Sequence, residues 1–136
     1  WAEPGSRFTA LFEALAIEDI PPSANVFMRM HFRARKKLKD SWLLMLYEAR
    51  AAFIPRAREK RVVVVTRTSP SPTPLDPTNA HLAVDKLILD NLVTLGILED
   101  DSAQWCDARI RAERGTEKRT TIAIWKAKKG NSKARP

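Results

Sequence analysis

The hydrophobic period changes several times along the chain, and each change marks an element. Residues 61–68 contain four consecutive valines, Val62 to Val65. An unbroken β-branched run predicts a strand buried on both faces, and so a central one. Upstream, Leu38, Trp42, Met45, Leu46 and Ala49 recur at three- and four-residue steps. They predict an amphipathic helix over 35–52, with Lys36, Lys39, Asp40 and Arg50 on the wet side and Pro55 as the latest end. Residues 76–95 carry the strongest helical pattern: Leu82, Val84, Leu87, Ile88, Leu89, Leu92, Val93 and Leu95 cover most of the circumference. Asp76 or Thr78 caps this helix, Pro77 sits where a first-turn proline is tolerated, and Gly96 supplies a left-handed stop. One stripe of it is polar: Asn79, Lys86 and Asp90.

The remaining segments are shorter. Phe8, Leu11, Phe12 and Leu15 have helical spacing, but the run into Pro21-Pro22 reads as a strand over 13–20, because two prolines remove successive donors. Three prolines in 69–74 keep that segment stiff, extended and outside any ladder. Residues 104–112 and 119–126 alternate as strands, joined by 114–118 as a hairpin turn. The order predicts a single-domain α+β fold: a mixed β-sheet packed with two main helices and a C-terminal β-hairpin. Residues 1–12 are expected to be poorly ordered, 13–126 to form the domain, and 127–136 to be a basic flexible tail.

Length and composition narrow the function classes. A chain of 136 residues with 44% hydrophobic and 29% charged residues is one globular unit. Its longest apolar run, Trp42 to Tyr47, is far short of the ~20 residues of a membrane span. No signal-peptide core is present, which suits a cytoplasmic setting, in a bacterial or phage-infected cell on the resemblance given below. The chain opens at Trp1 without a Met, as expected of a trimmed product. One cysteine, Cys106, and two histidines leave no ordinary zinc site.

Charge is the informative quantity: +8, with a pI near 10.1. The excess is clustered in Arg29, Arg33, Arg35, Lys36, Lys37 and Lys39, in Arg56, Arg58, Lys60 and Arg61, and in the tail, while acids gather between 76 and 107. A single basic run is ordinarily a solvated face. Several, with Phe27, Met28, Met30 and Phe32 interleaved in the first, predict a phosphate-tracking surface whose binding falls steeply with salt.

The candidate chemistry lies in the carboxylates. Asp76 opens the long helix; Asp100 and Asp101 follow its far end. Twenty helical residues span roughly 30 Å, so Asp76 and Asp101 meet only if the helix is shorter or the chain doubles back. If they meet, they offer the hard oxygen ligands that Mg²⁺ prefers, and on a basic protein that points to phosphodiester hydrolysis. Taken singly, Asp76 is a cap, Asp100 and Asp101 are solvated turn residues, and Lys86 with Asp90 is a surface ion pair.

Taken in order, Ile20-Pro21-Pro22-Ser23-Ala24-Asn25, the basic helix, Asp76-Pro77-Thr78-Asn79, Lys86 and Gly96-Ile97-Leu98-Glu99-Asp100-Asp101 resemble the RusA family of Holliday junction resolvases. The resemblance covers roughly residues 20–125. It implies a Mg²⁺-dependent homodimeric endodeoxyribonuclease, with Mn²⁺ as a substitute ion, that resolves four-way DNA junctions in recombination and repair. On this resemblance Asp76, Asp101 and Lys86 carry catalysis, Asp76, Asp100 and Asp101 hold metal, Asn79 supports the motif, and the two basic clusters hold the DNA backbone. The chain departs from the family at Thr78, where the motif has an aspartate, and the stretch from Asn79 to Lys86 is longer than in familiar members. Asp85 or Asp100 supplies the missing charge, or it is absent and the chain binds junctions with little or no cleavage.

Overall fold

The computed structural model describes residues 8–49, 54–71 and 77–127. Strand β1 (Phe8–Ile17) is followed by helices α1 (Ala24–Arg29) and α2 (Phe32–Glu48) and strand β2 (Arg61–Ser69). A continuous helical rod comes next, made of α3 (Pro77–Val84), a π-helical turn (Asp85–Leu89) and α4 (Asp90–Thr94). Strands β3 (Cys106–Arg114) and β4 (Arg119–Ala127) complete the order. No helix among the described residues is long and apolar enough to cross a membrane.

The sheet is mixed and four-stranded, in the order β1-β4-β2-β3. The valine strand is interior, as its composition predicts. Val63 and Val65 face the helices and join Leu15, Ile17, Trp42, Leu46, Leu87, Ile88, Leu92, Ile122 and Ile124 in one core. Val62 and Val64 lie with Ala123 and Trp125 in a smaller cluster. Each such large side chain buried contributes about 1.5–3 kcal/mol.

The expected C-terminal hairpin is corrected by the pairing. β3 runs parallel to β2, β4 runs antiparallel to it, and β2 lies between them. The helical rod is the crossover that a parallel β2–β3 pair requires, so β3 takes one edge of β2 and β4 the other. Their short link passes over the end of β2, where the Gly115 N–H donates to the Ser69 carbonyl at 3.0 Å. A Cβ on Gly115 would overlap Thr68 Cγ2, and a β-branched side chain cannot easily turn away. Gly115→Ala is therefore expected to cost about 1–3 kcal/mol, read as a lower urea midpoint at unchanged m. Thr68→Ser removes the overlapping methyl and should recover most of that loss in the double variant.

Other boundaries differ too. β1 begins at Phe8, inside the segment expected to be loose, because it pairs with β4 through to Ala127. Residues 1–7 and the tail from 128 onward lie outside the described residues. The Pro21-Pro22 stop is followed by the unforeseen α1, whose N-cap Ser23 accepts from the Val26 N–H at 3.2 Å. At the far end of the rod Gly96 takes φ +81°. Its N–H donates to Val93 and that of Ile97 to Leu92, a Schellman closure with two buried apolar residues facing each other. That stop was legible in the sequence.

Candidate metal centre

The π-helical turn builds the site. Five α-helical steps of about 100° leave two side chains about 140° apart. Between Asp85 and Asp90 the rod instead closes an i→i+5 ring, the Asp90 N–H donating to the Asp85 carbonyl. The wider turn brings both carboxylates to one side, the kind of local insertion often found at functional sites. The chain after Gly96 doubles back and adds Asp101. Carboxylate oxygens of Asp85, Asp90 and Asp101 all lie within 4.8 Å of one another, so this group could hold a metal ion.

The three carboxylates repel one another. Burial pushes the Asp85 carboxyl above its usual range, and the negative charges of Asp90 and Asp101 push it further; Lys86 and His81 oppose them in part. Asp90 meets the Lys39 ammonium from α2 at 3.5 Å. The expected Asp90–Lys86 pair is thus replaced, because the π turn rotates Asp90 off the i+4 position. Asn91, buried, fixes α2 against the rod: its Nδ2 donates to the Lys39 carbonyl at 2.9 Å and to the Leu87 carbonyl at 2.8 Å. Asn91 is the residue of this centre that sequence reasoning passed over; Asp90 was read only as an ion-pair partner, and Lys39 only as part of the basic cluster. An amide amid Leu87 to Val93 was the available signal.

The expected site residues are distributed unevenly. Asp101 and Asp85 are in the group; Asp100 is exposed and outside it; Asp76 lies outside the described residues. Lys86 is exposed beside Asp85, Thr78 is exposed, and Asn79 is half-buried. Of the first basic cluster, Arg29, Arg33, Lys36 and Lys37 are exposed, while Arg35 and Lys39 are half-buried. Arg33 lies over the Phe32 ring at 5.7 Å, and Lys36 pairs with Asp40 at 3.3 Å. Met28 and Phe32 are exposed; Phe27 belongs to the core.

Arg61, expected on the basic surface, is only 1% exposed. Its Nη1 donates to the Pro55 and Ile97 carbonyls at 2.7 and 3.0 Å, Nη2 to the Arg56 carbonyl at 3.4 Å, and Nε to Glu59 at 3.3 Å. It is the internal strut of a depression of about 400 Å³ whose other lining residues are Pro55, Arg56, Arg58, Glu59 and Lys126. Arg56, Arg58 and Lys60 stay exposed. Cys106 is buried, its thiol pushed up to about 12 first by burial and then by Asp107 and Asp101, and is therefore inert. Searched against models of known families and against curated proteins, the chain matches none.

Proposed function

We propose that this chain is a Mg²⁺-dependent, structure-selective endodeoxyribonuclease that acts on four-way DNA junctions as a homodimer, as its resemblance to the RusA family implies. The observation that carries the reading is the convergence of Asp85, Asp90 and Asp101 beside the cationic helix α2. Three carboxylates without a soft donor suit Mg²⁺, which takes oxygen ligands at about 2.1 Å and so places them up to about 4.2 Å apart. Oxygens already within 4.8 Å need only small rotamer changes to fit.

Bound there, the ion would stabilise charge developing on the scissile phosphate. The chain's own groups do the rest. Asp85, Asp90 and Asp101 would hold the ion, the first two from the helical rod and the third from the chain beyond Gly96. Lys39, displaced from Asp90, is free to meet a phosphate oxygen, and Lys86 beside Asp85 offers a second ammonium. Arg35 and Lys36 flank Lys39 on α2 within about 60° and extend its cationic face, while Arg29, Arg33 and Lys37 add positive charge on other sides. A twofold dimer would present two such centres to strands of opposed polarity.

A Mg²⁺ titration with a synthetic four-way junction tests this. Cleavage should rise with Mg²⁺ or Mn²⁺ and vanish with chelator, while binding falls steeply with added salt. Binding without cleavage at any concentration of either ion would leave a junction-binding module instead. Lys39→Met should lower the cleavage rate by about 10–100-fold, yet shift half-saturation to lower Mg²⁺, because Asp90 then has no competing cation.

A further inference from the structure

A second charge is buried far from the carboxylates. Arg67 lies near the C-terminal end of β2, two residues beyond Val65 and so on the helix-facing side of the sheet, and is only 9% exposed. Its Nε donates to the Pro21 carbonyl at 2.9 Å. Opposite it on β4, the buried Thr120 donates its hydroxyl to the Asp19 carbonyl at 2.6 Å. These two bonds pin the turn after β1 across the end of the sheet.

The turn accounts for one of the five N–H donors of Arg67. Among the described residues neither Nη1 nor Nη2 has an acceptor, and no carboxylate pairs with the guanidinium. Burial lowers its affinity for its proton with no neighbouring charge acting against that. Ser69, two residues on along the same face, is also buried; its Oγ accepts from the Ser71 N–H at 3.2 Å, which leaves the hydroxyl proton to donate. The stem is packed away and Nε is held by the turn, while the two Nη nitrogens, which are not among the buried atoms without a partner, reach solvent as a fixed pair of donors with no acceptor from the described residues. Arg61 makes the contrast: more deeply buried, it spends its donors on three carbonyls and a carboxylate.

We propose that Arg67, with the Ser69 hydroxyl, is an oxyanion site that takes a phosphate group, the Nη1/Nη2 fork receiving two of its oxygens. The fork matches phosphate in shape, and charge-assisted bonds of this kind are the strong ones. The molecule's net charge of +8 draws phosphate towards it from any direction. The inference does not need the metal centre and stands or falls apart from it.

The full chain is melted with chelator present, in chloride and in inorganic phosphate at matched ionic strength, as wild type, Arg67→Met and Lys118→Met. Lys118 is exposed and its variant loses the same charge. Phosphate should raise the wild-type and Lys118→Met midpoints by about 3 °C or more beyond chloride, saturating as one site, and this increment should disappear in Arg67→Met. The Arg67 Nε–Hε resonance of the wild type should shift along the same curve. A short single-stranded oligonucleotide that displaces phosphate from that resonance would place a nucleic-acid backbone phosphate in the site; an oligonucleotide without effect would leave free phosphate as the ligand. Equal phosphate increments in wild type and Arg67→Met, with an unmoved Nε–Hε resonance, would overturn the proposal and leave Arg67 as an anchor for the Pro21 turn alone.

Discussion

Asp85→Asn and Asp101→Asn are each expected to reduce Mg²⁺-dependent junction cleavage by at least about 100-fold while leaving junction binding equal or tighter. Each removes one of the converging carboxylates and so weakens the hold on the ion; each also removes a negative charge from a surface that must meet phosphate. Asp85→Asn should separate function from stability as well. Because its folded pKa is raised, the folded chain holds that proton more tightly than the unfolded chain does, and the group opposes folding once both have released it. The penalty grows as pH rises from the ordinary aspartate range through the raised value and is complete above it. In chelator at pH 7 the Asp85→Asn chain should therefore melt at or above the wild type, and Mg²⁺ should stabilise the wild type more than the variant. Wild-type cleavage by both variants, measured with a labelled junction, would remove Asp85 and Asp101 from the chemistry.

Arg61→Met carries the largest expected loss of stability, about 3–5 kcal/mol. The replacement fills similar volume but leaves the Pro55, Arg56 and Ile97 carbonyls without their donor and Glu59 without its cation. Arg61→Lys should recover little, because one ammonium cannot span acceptors that a guanidinium reaches from three nitrogens. Urea unfolding measures both. The strut ties the loop at 55–59 to the chain just after Gly96, four residues before Asp101. Mg²⁺ should accordingly stabilise Arg61→Met less than it does the wild type.

Elements with a local cause were readable from the sequence. Four valines need burial on both faces, and Gly96 is the residue a Schellman closure demands, so the central strand and the rod's end followed directly. The sheet order did not. Alternation says that 104–112 and 119–126 are strands, and a short link favours pairing them, but which edges of β2 they occupy depends on the packing of the whole rod. The centre divides the same way. Asp101 was a candidate from its place after the helix, and Asp85 as a substitute for the motif aspartate that Thr78 replaces. Asp90 was read as a surface ion-pair partner because an ideal α-helical period was applied through it. The π turn that rotates it has no signature among Asp85-Lys86-Leu87-Ile88-Leu89; it shows in the ring closed on the Asp85 carbonyl and in the Asn91 side chain, which donates to the Leu87 carbonyl.

The pairing of β1 with β4 has a consequence for how the protein is made. Those strands are separated by about a hundred residues, and among the described residues β1 has no other neighbour in the sheet. Its ladder must wait until the ribosome has delivered β4, so an emerging chain carries β1 unsatisfied while all the residues between the two strands are made. Joining partners this remote is slow, and in that interval chaperone capture or pairing with a neighbouring nascent chain competes with the native sheet.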